Sequence, residues 1–315
     1  MYNLYVMGAH IYNIKMLTAV ETLLGSGVYN FRKHIDGIKT KRNIAYTEKP
    51  NKYEFFDVHF PDDADCIFNS DKNRKTTYPM ILYFHGGGWA SYSKVLFTTL
   101  SRRLAKMGFV VFCANYSLAP KFKMDKMVDD AEQAFKTARK LACNFGADPN
   151  KIVLGGDSAG AHLCCELFSK ISAENAFKNE IKALVLFYGV YDLNSVIFSG
   201  FPNIKTLIDA SIAGGIKNKE ELDKFSPISK DLFKFPPCFL ASGEIDKLHE
   251  GQSKIFAEKL KNSGVQVKTK FYKASEKRAM HAFMTFDGLY TNVETLKSLE
   301  KFLHDDVKIW GEGTR

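Results

Sequence analysis

The sequence predicts an α/β fold, in which a mostly parallel central sheet carries helices on both faces. Short apolar runs, such as MILYF at 80–84 and CFLASG at 238–243, are typical of strands buried on both faces. Stretches with helical spacing separate these runs, and strands that alternate with helices form parallel crossovers. The chain has 315 residues, of which 45% are hydrophobic and 25% charged, as in an ordinary globular protein.

The elements follow one another along the chain. Strands are predicted at 55–60, 80–84, 109–116, 151–156, 183–189, 238–243 and 265–272. Helical spacing occurs at 11–24, 93–107, 125–145, 159–172, 251–263 and 289–304. The interval from Gly189 to Cys238 is too long for an ordinary crossover. We therefore expect a single domain over 1–315, with helical cap elements from about 1–45 and 190–235.

The pentapeptide GDSAG at 156–160 follows the predicted strand KIVLG and opens a helical stretch. In that context G-x-S-x-G predicts a sharp strand-to-helix turn that projects the serine oxygen into a cleft. The glycines remove Cβ atoms that would clash at such a turn. Ser158 is therefore the predicted nucleophile. Its neighbour Asp157 is expected to face away and to form local hydrogen bonds.

The motif HGGGW at 85–89 directly follows the strand MILYF. Acyl transfer passes through an oxyanion, which backbone N–H groups about 3 Å away stabilise. Since glycines let the main chain come that close, Gly86, Gly87 and Gly88 are candidates for half of an oxyanion hole. His85 is expected to form structural hydrogen bonds instead of acting as the base.

A serine hydroxyl needs a base to take its proton, and histidine is suited to that task near neutral pH. His281 follows the last predicted strand and can return to the carboxyl edge of the sheet, while His249 remains an alternative. A carboxylate must orient the imidazole. Asp246 is the predicted one, with Glu244 as its alternative. The order Ser158, Asp246, His281 is that of α/β-hydrolases.

With these motifs the chain resembles the hormone-sensitive-lipase group of carboxylesterases. The similarity rests on HGGGW, GDSAG, NYSLAP at 115–120 and the pairing of GEIDKL with HAF, and it extends from about residue 53 to 304. It implies the α/β-hydrolase fold with a helical cap, hydrolysis of short to medium acyl esters, and no metal or organic cofactor. It also implies that Gly87, Gly88 and Ala159 donate the oxyanion hydrogen bonds.

The sequence departs from the family pattern at a few positions. Ser117 and Lys121 stand where the family commonly has Arg and Glu, and Ala161 and Ala282 replace frequent glycines. None of these changes removes a predicted catalytic group. We expect an altered supporting ion pair from the first two, and a slightly reshaped loop around His281 from Ala282.

The predicted function is cleavage of carboxylic esters through an acyl-enzyme. A deacetylase or an amidase or peptidase acting on a small metabolite is the alternative enzyme, and a hydrolase-like ligand-binding protein is the alternative without catalysis. The net charge is +9, but the Lys and Arg residues are scattered, which argues against a nucleic-acid partner. A homodimer remains open.

The first residues contain apolar stretches, but polar residues interrupt them before they reach membrane-spanning length. We expect no stable membrane insertion and a cytoplasmic location. The cysteines show no paired CxxC spacing, so they are expected to be reduced, and a metal or redox role for the adjacent Cys164 and Cys165 is disfavoured. Aromatic residues of the predicted cap suggest an apolar pocket; these residues are Tyr12, Phe31, Phe198 and Phe201.

Overall fold

The computed structural model describes residues 32–64, 78–174, 177 and 179–310. Its centre is an eight-stranded sheet with the strand order β1-β2-β4-β3-β5-β6-β7-β8. The strands are β1 (Ile38–Ala45), β2 (Phe55–Pro61), β3 (Tyr78–Phe84), β4 (Val110–Ala114), β5 (Ala147–Asp157), β6 (Ile181–Phe187), β7 (Cys238–Gly243) and β8 (Val267–Tyr272). Strands β3 to β8 pair in parallel, whereas β1 and β2 run antiparallel to their neighbours. The predicted fold class is confirmed.

Helices cover both faces of this sheet. The α-helices are α1 (Thr98–Lys106), α2 (Met124–Leu141), α3 (Ala159–Ala173), α4 (Leu193–Val196), α5 (Ile204–Ser211), α6 (Lys219–Lys224), α7 (Ile255–Asn262) and α8 (Tyr290–Lys301). Among the described residues, no helix is long and apolar enough to cross a membrane.

The apolar runs form strands because both faces of the sheet are covered. Along β3, Leu82 and Phe84 belong to the hydrophobic core on one face, and Ile81 and Tyr83 belong to the core on the other. This alternation follows from the period of two along a strand. Every strand predicted from the sequence is present, within a few residues of its expected ends.

The predicted cap boundary at 1–45 is wrong for its last residues, because Ile38–Ala45 form the edge strand β1. Its sequence, IKTKRNIA, is rich in charged residues and only partly buried. Charged side chains protect an edge strand from pairing with another chain, but they also interrupt the apolar run that is typical of a buried strand. Residues 1–31, which include the helix predicted at 11–24, lie outside the described residues.

Between β6 and β7 the chain forms an insertion, residues 190–235, that contains α4, α5, α6 and several short 3₁₀ turns. Hydrogen bonds to the rest of the fold, including the following two, help to position it. Gln252 Oε1, from the turn before α7, accepts the backbone N–H of Tyr191 at 2.8 Å. Lys123 Nζ donates to the carbonyl oxygen of Ala210 at 2.6 Å. The second bond satisfies a carbonyl in the last turn of α5 with a cation, as the helix dipole favours.

Candidate active site

Ser158 lies in the sharp turn between β5 and α3, as the GDSAG motif predicts. Its φ angle is +50°, a strained conformation for a residue with a side chain. Its backbone N–H donates to the carbonyl oxygen of Phe187 at 2.9 Å. A Cβ atom on Gly160 would lie 2.0 Å from the carbonyl oxygen of Phe84. The turn therefore requires glycine at 160, where α3 passes against the end of β3.

Ser158, His281 and Asp246 form a connected chain of hydrogen bonds. Ser158 Oγ lies 3.0 Å from His281 Nε2, and His281 Nδ1 lies 2.7 Å from Asp246 Oδ2. The other oxygen of Asp246 accepts the N–H of Leu248 at 3.0 Å. Asp246 is buried, whereas 22% of the His281 side chain is exposed. A buried carboxylate thus orients a histidine that faces both the serine and an open space, as in a Ser-His-Asp triad.

The alternative base and carboxylate are engaged elsewhere. His249 Nδ1 lies 2.7 Å from the hydroxyl of Ser242. The Glu244 carboxylate accepts hydrogen bonds from Lys273 Nζ at 3.0 Å and from the backbone of Ala274 at 2.9 Å. The structure therefore selects His281 and Asp246 as the residues that reach Ser158.

Two further histidines have structural contacts, as expected for His85. The ring of His85 stacks on Tyr116 with 4.5 Å between centroids, and the Tyr116 hydroxyl donates to the His85 carbonyl at 2.9 Å. His162 is buried and its Nε2 lies 2.7 Å from the carbonyl oxygen of Phe225. Because burial opposes the charged imidazolium, the pKa of each histidine is lowered to about 4.

The glycine loop after β3 approaches Ser158, but one of its predicted donors is already used. The N–H of Gly86 donates to Asp157 Oδ1 at 2.9 Å, so the prediction of Gly86 as an oxyanion donor is wrong. Gly87 and Gly88 line the cavity beside Ser158, together with Ala159. Their φ angles are +126° and +57°, which glycine adopts without strain. Ala159 opens α3, where the N–H groups have no acceptor within the helix.

The side chain of Asp157 accepts hydrogen bonds from a distant part of the chain, whereas the sequence predicts local ones. Its Oδ1 accepts the Gly86 N–H and also the Tyr83 hydroxyl at 3.0 Å, and both donors belong to a distant part of the chain. Only 2% of the residue is exposed. Burial raises the pKa of Asp157 to about 7, although these hydrogen bonds and the charge of His281 act in the opposite direction. The buried carboxylate thus connects the end of β5 to the glycine loop through a hydrogen bond.

A cavity of about 480 Å³ opens in front of Ser158 and His281, a volume typical of small-molecule sites. One wall comes from the insertion and includes Phe201, Ile204 and Leu207. The Phe201 ring lies 4.6 Å from the His281 ring. A Cβ atom on Gly88 would lie 2.6 Å from Leu207 Cδ1, so Leu207 packs directly over this glycine. Most of the surface that lines the cavity is apolar.

Two of the aromatic residues predicted to form this pocket lie in the described part of the chain, and they differ in exposure. Phe201 lines the cavity. Phe198 does not, because it is 77% exposed, and the prediction for this residue is wrong. The two rings lie in the same irregular segment before α5, where no periodicity indicates which side chain turns inward. Tyr12 and Phe31 lie outside the described residues.

The structure shows the local surroundings of Ser117 and Ala282, two of the departures from the family pattern. The N–H of Ser117 donates to the buried carboxylate of Asp130 at 2.7 Å, and Lys126 pairs with both Asp130 and Glu54. A lysine from α2 therefore supplies the positive charge in this region. Ala282 has a φ angle of +66°, a left-handed conformation that costs a non-glycine residue about 1 kcal/mol.

The cysteines and acidic residues of the described ranges form no cluster suited to a metal ion. Cys164 and Cys165 are fully buried in α3. Burial raises the pKa of both thiols well above the ordinary value, which opposes the thiolate form needed for metal binding or redox exchange.

The fold and the site define the chain as an α/β hydrolase, because a serine, a histidine and a carboxylate meet at the carboxyl edge of a parallel sheet, beside a glycine loop. A family model described as alpha/beta hydrolase fold matches residues 81–285. The chain belongs to this family, in its hormone-sensitive-lipase-like group.

Curated relatives and solved structures agree with this placement. An isoprenylcysteine alpha-carbonyl methylesterase of Arabidopsis thaliana is 26% identical over 260 residues, which cover 78% of this chain and 56% of that protein. An arylesterase of Saccharolobus solfataricus is 29% identical over 201 residues, or 61% of this chain and 65% of that protein. Esterase B of Lactobacillus rhamnosis has a TM-score of 0.77 at 19% identity, over 98% of this chain and 99% of that one; this likeness shows the fold. The chain thus spans little more than half of the methylesterase it matches.

Proposed function

We propose that the protein hydrolyses carboxylic esters with short to medium acyl groups through an acyl-enzyme intermediate. The observation that carries the proposal is the continuous chain of hydrogen bonds from Asp246 through His281 to the hydroxyl of Ser158. The relatives named as a methylesterase and an arylesterase support the same reaction class. The apolar cavity beside the serine favours neutral esters with apolar groups.

In the first half-reaction, His281 Nε2 takes the proton of the Ser158 hydroxyl while Oγ attacks the ester carbonyl carbon. The carbonyl oxygen becomes an oxyanion, which the N–H groups of Gly87, Gly88 and Ala159 would stabilise. The bond to the alcohol oxygen then breaks, and the imidazolium of His281 gives its proton to the departing alcohol. The product of this step is an acyl group esterified to Ser158.

In the second half-reaction, His281 takes a proton from a water molecule as its oxygen attacks the acyl carbonyl. The bond to Ser158 Oγ breaks, the serine recovers its proton from His281, and the carboxylic acid leaves. Asp246 stabilises the imidazolium in both half-reactions without taking up a proton itself. The hydrogen bond from Leu248 and the burial of Asp246 keep this carboxylate in one orientation.

The proposal is tested with the substitution Ser158→Ala and p-nitrophenyl esters. The variant should lose turnover by at least about a thousandfold, as serine hydrolases do without the nucleophile, and it should no longer react with a fluorophosphonate probe. Ser169→Ala is the matched control, since Ser169 lies on α3 and donates to the carbonyl oxygen of Cys165, away from the cavity. Turnover that survives Ser158→Ala would overturn the proposal.

The alternatives separate in the same assay. An anilide with the same acyl group measures the amidase or peptidase alternative, and acetylated sugars measure the deacetylase alternative. A non-catalytic binding protein would neither turn over esters nor react with the probe. A cytoplasmic location and a homodimer stay predictions from the sequence, which cell fractionation and the mass in solution would test.

A further inference from the structure

One buried carboxylate connects the two halves of the proposed oxyanion hole. Asp157 immediately precedes Ser158 and stands two residues before Ala159, which belongs to one half. Its Oδ1 accepts the N–H of Gly86 at 2.9 Å, and Gly86 immediately precedes the two donors of the other half. The connection therefore joins two stretches of chain that are 71 residues apart.

The backbone alone does not make this connection. The parallel ladder between β3 and β5 ends with the pair Phe84 and Gly156. Beyond that pair the chain after β3 turns away into the glycine loop, and the chain after β5 turns into α3. The side chain of Asp157 connects the two segments beyond the end of the ladder, because its Oδ1 accepts the N–H of Gly86.

The carboxylate is itself held in place. The Tyr83 hydroxyl donates to the same oxygen at 3.0 Å, and Tyr83 is fully buried in β3. A Cβ atom on Gly86 would lie 2.5 Å from Asp157 Oδ2, so the loop packs tightly against the carboxylate. The peptide unit that contains the N–H of Gly86 is planar, so this hydrogen bond fixes the orientation of the peptide unit from which the loop continues to Gly87 and Gly88.

We infer that Asp157 is a positioning residue, which holds the N–H groups of Gly87 and Gly88 at the distance from Ala159 that an oxyanion requires. The inference rests on the proposed ester hydrolysis. Asp157 does not act on the substrate directly; it acts through Gly86. Oxyanion donors stabilise the transition state and not the bound ester, so the loss of positioning lowers kcat and leaves KM nearly constant.

The test compares Asp157→Ala with Asp157→Asn. Alanine removes the acceptor, and we expect kcat for p-nitrophenyl butyrate to fall about 10-fold to 100-fold, less than the 100-fold to 1,000-fold loss of a whole oxyanion donor. KM should change by less than about twofold, as for an interaction made only in the transition state. Asparagine keeps an oxygen at the Oδ1 position, so it should retain kcat within about fivefold, because a neutral acceptor still binds an N–H.

Glu54→Ala is the matched control. Glu54 is also a buried carboxylate, 5% exposed, and it accepts the backbone N–H of a loop residue, Asn51, at 2.7 Å. It lies just before β2 and does not line the cavity. Its loss should lower the thermal midpoint and leave kcat of the folded protein within about twofold, since stability and transition-state binding are separate quantities.

The outcomes are distinguishable. Unchanged kcat in folded Asp157→Ala, or an equal loss of kcat in Asp157→Asn and Asp157→Ala, would overturn the inference and leave the ester hydrolase intact. If Asp157→Ala does not fold, Asp157→Ser keeps a polar group but is too short to reach Gly86, and the same loss of kcat is expected. A wild-type protein without turnover or probe labelling would instead refute the proposed function, and the inference with it.

Discussion

A substitution of Leu207 tests whether the insertion at residues 190–235 limits the length of the acyl group that the cavity accepts. It lies on α5, it is only 7% exposed, and it lines the cavity directly above Gly88. The substitution Leu207→Ala removes three carbon atoms from that wall. We expect the variant to accept acyl groups longer than the wild type prefers, since the new space lies beside the oxyanion loop where the ester carbonyl binds.

The size of the effect follows from the area that a longer substrate can bury. Each methylene group transferred from water into an apolar site contributes about 0.8 kcal/mol. A substrate that refills the space of three carbons gains up to about 2 kcal/mol, which is about 30-fold in kcat/KM. Substrates that already fit lose packing against Leu207, so the ratio of kcat/KM for long over short acyl groups should rise by about 10-fold to 30-fold.

The assay is a series of p-nitrophenyl esters from acetate to decanoate. Leu232→Ala is the control, because Leu232 belongs to the same insertion and is equally buried at 7% but does not line the cavity. Both variants should lose comparable stability, about 2 to 5 kcal/mol for a buried Leu→Ala change. If the acyl-length profile of Leu207→Ala matches that of Leu232→Ala, Leu207 does not limit the cavity.

Two further predictions concern buried charges. Lys94 pairs with Asp57 at 2.8 Å with both side chains 5% exposed, so Lys94→Met should lower the free energy of unfolding in urea by about 3 to 5 kcal/mol; a loss below 1 kcal/mol would contradict this. Burial raises the pKa of Glu166 from 4.5 to about 7. Between these two pH values the native state holds a proton that the unfolded state releases. The free energy of unfolding therefore falls as pH rises from 4.5 to 7. Relative to wild type, Glu166→Gln should therefore gain stability between pH 4.5 and 7, by up to about 3 kcal/mol; a constant difference across that range would contradict the assignment.

The sequence predicts strands β2 to β8 and the three residues of the hydrogen-bonded chain, although it leaves His249 and Glu244 open as alternatives. Buried strands appear as apolar runs, and Ser158 is marked by a motif whose glycines the turn requires. Asp246 and His281 follow from the strand order, because the ends of parallel strands meet at one edge. These are features in which local pattern and tertiary structure agree.

Other features depend on contacts that no local pattern records. The strand β1 contains no apolar run, because its lysines and arginine protect an exposed sheet edge. It therefore cannot be predicted from apolar runs. Gly86, Gly87 and Gly88 cannot be distinguished by residue type. Gly86 is excluded from the proposed oxyanion hole because its N–H donates to Asp157, which lies far along the chain. Phe198 and Phe201 differ in burial because of how one loop enters α5, and that path is set by the packing of the whole insertion.

The cavity wall and the residues proposed to carry out the chemistry come from separate stretches of chain. Ser158, Asp246 and His281 follow three strands of the sheet, while Phe201, Ile204 and Leu207 belong to one continuous segment between β6 and β7. This segment could be exchanged as a single cassette, provided that the anchors at Gln252 and Lys123 are matched. An exchange of this segment would change the wall that faces the substrate and leave the proposed catalytic residues in place.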